Sequence, residues 1–169
     1  ASVSPFDAMR FVNWLHNGQG SGGTETGAYT LLGGMATPSN PLVERNPAAT
    51  IFLTSEDEWY KAAYYDAVAT SYNPYPFADG FNGVVCEGPA GTTTHSANCN
   101  SAVGNTTDVG AYTTSPSDYG TFDQGGNAWE WNETPVQNAA GRSLRGGAFY
   151  YGGAYLLAAT AEGSSQPDT

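Results

Sequence analysis

The hydrophobic positions of this chain settle into helical registers at two places. From Pro5 onward, Ala8, Phe11, Val12 and Leu15 follow the i, i+3, i+4, i+7 spacing of one helix face. Ser4 is placed to cap this helix, and Pro5 takes the first helical position, where a missing N–H costs nothing. Asn17-Gly18 supplies the stop, because glycine readily adopts the left-handed conformation that follows a helix. His16 falls in the last turn, where contact with the helix dipole explains it better than catalysis. The second register opens at Ser55, with Glu58 three residues on in a capping-box arrangement. Trp59, Ala62 and Ala63 form its inward face, while Glu56 and Asp57 put negative charge in the first turn. The carboxylates of Glu56 and Glu58 read as cap chemistry rather than as an acid/base pair.

Elsewhere the pattern is short and broken. Residues 18–50 are rich in Gly, Thr, Asn and Pro around one apolar run, Tyr29-Thr30-Leu31-Leu32. This predicts a long ordered loop carrying one short strand or ribbon. Ile51-Phe52-Leu53 reads as a short buried strand. After Asp66, Tyr72-Asn73-Pro74-Tyr75-Pro76-Phe77 forms an extended aromatic–proline segment, and residues 78–118 are mostly Gly, Asn, Thr and Ser. No repeat, charge run or linker divides the chain, so residues 1–169 read as one domain.

Composition narrows the classes. Apolar residues make up 40 %, enough for a core, whereas 12 % charged residues and 22 glycines favour loops over long helices. The formal net charge of −11 argues against nucleic acid and anionic membrane surfaces, which call for basic patches. No segment approaches the ~18 apolar residues that span a bilayer. The balance suits a secreted protein, extracellular or periplasmic, and Ala1 in place of Met implies a leader cleaved or left out. Cys86 and Cys99 would close a short loop as a disulfide in an oxidising compartment. Two buried thiols, or a metal site with His95, are the other readings, the latter weakened by the missing Cys-x-x-Cys spacing. Asn105-Thr106-Thr107 and Asn132-Glu133-Thr134 fit the glycan acceptor pattern, which chance often produces.

The densest chemistry lies in Asp123-Gln124-Gly125-Gly126-Asn127-Ala128-Trp129-Glu130-Trp131. Asp123 and Glu130 offer hard anionic oxygens, and Gly125 and Gly126 let the backbone turn carbonyls inward. Trp129 and Trp131, two apart, would point to one side of an extended segment and anchor it in the core. On residue types alone, a calcium loop and a tight turn with an aromatic anchor both fit.

This segment resembles the Gly-Asn-x-Trp-Glu-Trp signature of the formylglycine-generating enzyme, or sulfatase-modifying factor, family. Three further stretches agree in order: Ser4-Pro5-Phe6-Asp7-Ala8 through Phe11-Val12-Asn13-Trp14-Leu15, Leu53 to Ala63 with its Thr-Ser-Glu-Asp-Glu-Trp, and Arg145-Gly146-Gly147-Ala148-Phe149. The resemblance implies an α+β domain of C-type-lectin-like type, with two main helices, short strands and much irregular loop. It implies calcium held by the Asp123 and Glu130 side chains and the Gly126 and Ala128 carbonyls. A second calcium would fall on Asn98 and the Cys99 carbonyl, with Asp108 as a further partner. The family's first and last strands have no counterpart in this pattern, and residues 158–169 read as a small polar tail.

Catalysis is where the pattern departs from the family. The two copper-binding cysteines expected after Arg-Gly-Gly-Ser fall on Tyr151 and Leu156, and the serine falls on Ala148. A soft Cu(I) ion needs thiolates, which a phenol and an isobutyl group do not supply. A sister branch, the ergothioneine-forming sulfoxide synthases, needs three histidines, and this chain has only His16 and His95. No catalytic residue is therefore assigned. Phe149, Tyr150, Tyr151 and Tyr155, interleaved with glycines, read equally as a contact surface or as a core strand. The domain also serves as a ligand-display scaffold in variable proteins. The expectation is a secreted, calcium-stabilised, non-catalytic module binding protein, glycan or its own copies in a larger extracellular assembly. The rival is a metal-dependent oxidoreductase with a rearranged site.

Overall fold

The computed structural model of the chain describes residues 3–33, 38, 42–89, 93–136, 141–156, 158 and 163–165. Its elements are α1 (Pro5–His16), α2 (Glu56–Tyr64), β1 (Tyr65–Asp66), β2 (Ser71–Tyr72), β3 (Val85–Cys86), β4 (Ser96–Ala97), β5 (Glu130–Val136), β6 (Gly141–Arg145) and β7 (Gly163–Ser165). Short 3-10 turns lie at Ala78–Gly80 and Gly153–Leu156. Two helices, short strands and long irregular stretches give the expected α+β class. Contacts divide the chain into two compact units: Ala1–Glu56 with Trp131–Ser143 and Ser164–Thr169, and Asp57–Glu130 with Leu144–Gly163. Among the described residues no helix is long and apolar enough to cross a membrane.

In the first unit α1 begins and ends where its sequence dictates. The Ser4 hydroxyl accepts from the Asp7 N–H at 3.1 Å, Asn17 caps the C-terminus, and Gly18 follows at φ +83°. The buried face is not the expected one. Phe6, Met9, Val12 and Asn13 point inward, whereas Phe11 is 56 % exposed and stacks on Trp14. Two apolar stripes share Val12, and the stripe that meets Ala28, Tyr29, Leu31 and Val43 is the one that packs. Asn13, fully buried, binds the following loop from both ends of its amide. Its Nδ2 donates to the carbonyls of Thr24 (2.8 Å) and Tyr29 (3.0 Å), and its Oδ1 accepts from the Tyr29 N–H (2.8 Å).

Tyr29 is also the hub of a polar knot. It makes a single antiparallel bridge with Arg45, the short ribbon expected in this loop. Its hydroxyl donates to Glu133 at 2.6 Å, and Glu133 pairs with Arg45 at 2.7 Å. Burial, then the bond to Glu133, raises the Tyr29 phenol far above its ordinary range. The strand expected at Ile51–Leu53 does not form. The Leu53 N–H donates to the Tyr29 hydroxyl, its carbonyl accepts from Arg45, and the Phe52 ring lies 3.6 Å beneath the Arg45 guanidinium. Main-chain groups satisfied by side chains have no need of a strand partner. The strands β5, β6 and β7 form one sheet in that order, so a strand occurs at Gly163–Ser165 within the segment read as a polar tail. Strand pairing uses main-chain groups and needs no hydrophobic side chain there.

In the second unit α2 buries Trp59, Ala63 and Tyr64, leaving Ala62 only partly covered. The helix runs directly into β1, which pairs antiparallel with β2. The strands β3 and β4 are parallel, and Cys86, the last residue of β3, forms a disulfide with Cys99, two residues beyond β4, across 13 residues. That bond removes both the free-thiol and the Cys–His–Cys metal readings, and it stabilises by about 3 kcal/mol through loop closure. Cys99 belongs to a buried cluster with Phe77, Ala97 and Leu156. Of the two glycan acceptor positions, Asn132 is fully buried and Asn105 is exposed.

Asn13→Ala removes three hydrogen bonds, two of them buried, and strands the main-chain groups that made them. The expected loss is about 2–4 kcal/mol of unfolding free energy in a urea titration. A loss below about 0.5 kcal/mol would show that the amide does not organise the loop.

Candidate functional site

The acidic hairpin is built on three close backbone approaches that only glycine allows. A Cβ on Gly126 (φ +80°) would lie 2.3 Å from the Asn98 carbonyl oxygen. One on Gly125 would meet Pro76 Cγ at 2.7 Å, and one on Gly146 (φ +93°) would meet the Gln124 carbonyl at 2.9 Å. The backbones then lock. The Gly126 N–H donates to the Gly146 carbonyl at 2.8 Å, and the Asn127 N–H donates to the Asn98 carbonyl at 2.8 Å. The arginine-glycine-glycine stretch, the disulfide-bearing segment and the acidic hairpin are thus tied through main-chain atoms.

Asn127, left-handed at φ +59°, is the organising residue that sequence reasoning did not single out. Its Oδ1 accepts from Asn98 Nδ2 (3.2 Å) and the Thr107 N–H (2.8 Å), and its Nδ2 donates back to the Thr107 carbonyl (3.2 Å). Its own carbonyl accepts from the Phe149 N–H at 2.9 Å. The available signal was an asparagine after two glycines, since asparagine tolerates the left-handed region best among residues with side chains.

The residues that the resemblance assigns to calcium present a set of underused oxygens. Asp123 (φ +61°) accepts from the Gly110 N–H through Oδ2 at 2.5 Å, while its buried Oδ1 has no protein partner. Asn98 is fully buried; its Nδ2 donates to the Asn105 carbonyl at 2.8 Å, and its Oδ1 has no partner. Among the described residues the carbonyls of Gly126 and Ala128 accept no hydrogen bond. Glu130 accepts from Trp59 Nε1 at 2.5 Å. Burial raises its carboxyl to about 7 against that bond, and the Asp123 carboxylate pushes it the same way. Orphaned buried oxygens and mutually repelling carboxylates are a donor set that fits a hard cation. The second group is less complete: the Cys99 carbonyl already accepts from the Ala102 N–H, and Asp108 is exposed. Among the described residues no group of three or more His, Cys, Asp or Glu side chains is poised around a metal, so main-chain and amide oxygens would have to complete any shell.

The two indoles do not anchor the segment in the core. Trp129 is half-buried, edge-on to Tyr151 at 5.6 Å, and Trp131, also half-buried, donates to the Val3 carbonyl at 2.8 Å. Trp59, 3 % exposed, fills the interior place instead. The aromatic residues after Arg145 form a surface cluster in turns, not a strand. The Tyr151 ring lies tilted at 4.4 Å from Tyr155 and 4.5 Å from Tyr150, which lies edge-on to Phe149. Tyr150 and Tyr155 are 53 % and 45 % exposed. The turn is held from below, because the N–H groups of Asn100 and Ser101 donate to the carbonyls of Tyr151 and Phe149, both at 2.7 Å. Leu156, at a copper-cysteine position, is fully buried as part of the core, and both cysteines of the chain are in the disulfide. His95 is held by Asp79 at 3.1 Å between Phe81 and Phe77, away from these residues in sequence.

An α+β fold with two helices, short strands and long main-chain-tied loops is the class these observations define. The chain belongs to the sulfatase-modifying factor enzyme 1-like domain family, whose family model matches residues 1–169. Among solved structures it is similar to the Treponema denticola variable protein 1, with a TM-score of 0.63 and 18 % identity over 98 % of this chain and 64 % of that one. The crystal structure of CarF gives a TM-score of 0.59 and 21 % identity over 98 % of this chain and 60 % of CarF. The chain therefore spans less than two-thirds of the length of either structure. A search of curated proteins finds no match.

Two outcomes test this site. Gly126→Ala should cost more than about 3 kcal/mol, since the methyl group collides with a main-chain oxygen and φ is positive. In metal-free protein the raised Glu130 carboxyl stabilises the fold fully below about 4.5, and that gain is lost as pH rises through about 7. Urea midpoints in chelator should therefore fall between these values by the equivalent of about 3 kcal/mol. Glu130→Gln should flatten the slope, and an unchanged slope would remove Glu130 from the account.

Proposed function

We propose that this domain is an exported, calcium-stabilised, non-catalytic binding module that presents its tyrosine-rich turn to a protein or glycan ligand, or to copies of itself. The observation that carries the reading is the buried, unpartnered Oδ1 of Asp123, whose carboxylate acts on the buried Glu130 carboxyl, with a further unpartnered buried oxygen on Asn98 for the second position. Asp123, Gly126, Ala128 and Glu130 would hold the ion, with Asn98 and Cys99 at a second position. When bound, calcium would supply the positive charge that lets two neighbouring carboxylates ionise together.

The contact surface follows from the same loop. Asn127 fixes Phe149 through its carbonyl, and Cys99 leads into the segment that holds Tyr151, so an ion that stiffens the hairpin also stiffens the tyrosine turn. Exposed tyrosines on a glycine-bent backbone give large amphipathic area at low entropy cost. A structurally similar protein bears the name variable protein, which accords with a display role. The non-catalytic part rests on Tyr151 and Leu156 at the copper positions. Export is supported by the disulfide, which persists in oxidising compartments.

Calcium should raise the melting temperature of the full chain by several degrees over chelated protein and abolish the pH slope described above. Tyr151→Ala should leave that gain intact while weakening ligand capture or self-association. Unchanged melting in excess chelator would overturn the calcium reading. Stoichiometric copper or iron accompanied by oxygen uptake would overturn the non-catalytic one.

A further inference from the structure

We propose that Asn82–Gly83 is a built-in site of spontaneous deamidation, which places a new carboxylate next in the chain to Phe81, whose ring stacks on His95. The chain holds two Asn-Gly steps, and the structure treats them oppositely. Asn17 caps α1, and its Nδ2 donates to the carbonyls of Gly23 (2.9 Å) and Thr26 (2.7 Å), which immobilises the amide. Asn82 is exposed in an irregular turn, and among the described residues its side chain has no hydrogen-bond partner. The other described asparagines that are buried, Asn13, Asn73, Asn98, Asn127 and Asn132, precede residues other than glycine.

The chemistry follows from that freedom. The Gly83 amide nitrogen gives up its proton and attacks Cγ of Asn82, forming a C–N bond while the side-chain nitrogen departs as ammonia with that proton. Water then adds to either carbonyl of the cyclic imide and opens it to an aspartyl or isoaspartyl residue at position 82. Only water is consumed and no electrons move. Attack requires an unhindered amide nitrogen after Asn82 and a backbone able to pucker, which glycine provides. A Cβ on residue 83 would crowd the Phe81 ring at 2.9 Å, so glycine also leaves that ring undisturbed.

The product alters a defined place. The Phe81 ring stacks 4.2 Å from His95, its N–H donates to Asp79 Oδ1 at 3.1 Å, and Asp79 also holds His95 at 3.1 Å. Each event lowers the formal charge of −11 by one and puts the new anion next in sequence to Phe81. The isoaspartyl product also lengthens the main chain there by one methylene.

Incubation of the intact folded chain in mildly alkaline buffer, followed by peptide mapping, tests this. Each event adds about 1 Da. Position 82 should gain it at least about tenfold faster than position 17, and in urea the two rates should converge as the local protection of Asn17 disappears. Asn82→Gln should remove the fast phase without changing the melting temperature. Equal rates in the folded protein, faster reaction at Asn17, or no reaction at Asn82 would overturn the proposal.

Discussion

The contact between the main chains of Gly126 and Asn98 is the constraint on which the second unit depends. There is no room for a side chain at position 126, so the hairpin can come close enough for the Asn127 N–H to reach the Asn98 carbonyl. From that one approach follow the hydrogen bonds of Asn127 to Thr107 and the docking of Phe149. It also aligns the hairpin with the segment that the disulfide fixes. A fold with so little regular structure cannot rely on ladders of repeated hydrogen bonds. It depends instead on a few positions where backbone meets backbone and an amide side chain fills the gap.

The first unit solves the same problem with different chemistry. Tyr29, Arg45 and Glu133 come from segments up to 104 residues apart and converge on one carboxylate, while Asn13 ties α1 to the loop that carries Tyr29. A buried tyrosine that donates to a carboxylate is held neutral, which is why its ionisation is pushed so far upward. Arg142 is another buried polar side chain of this unit. It is fully buried, it donates to the Val43 carbonyl, and burial lowers its pKa. Satisfied polar groups, rather than apolar mass alone, specify where the long loops lie.

Leu156 lies where the family resemblance would place a metal-binding thiol, and its surroundings are apolar core. The leucine is at 0 % exposure, packed with Phe77, Ala97 and Cys99, and an isobutyl group offers no ligand to a soft metal ion. Tyr151 goes the other way, in tilted contact with the exposed rings of Tyr155 and Tyr150. The same stretch of chain thus gains packing on one side and aromatic contact area on the other.

The sequence by itself determined the features that depend on neighbours along the chain. The cap and stop of α1, the start of α2 and the sharp bend at Gly125-Gly126 are local, because they concern main-chain groups within a turn or two. The family and its motif positions were equally legible, since they rest on ordered residue identities. Which stripe of α1 faces inward was decided by what Phe6 and Met9 could meet, and spacing could not distinguish it from the stripe through Phe11. The failure of Ile51–Leu53 to form a strand was decided by distant competitors for its main chain, Arg45 and Tyr29, and the half-buried place of Trp129 by its edge contact with Tyr151. Main-chain approaches such as that of Gly126 to Asn98 leave only a glycine in the sequence. The partner that requires it is visible only once the chain has folded.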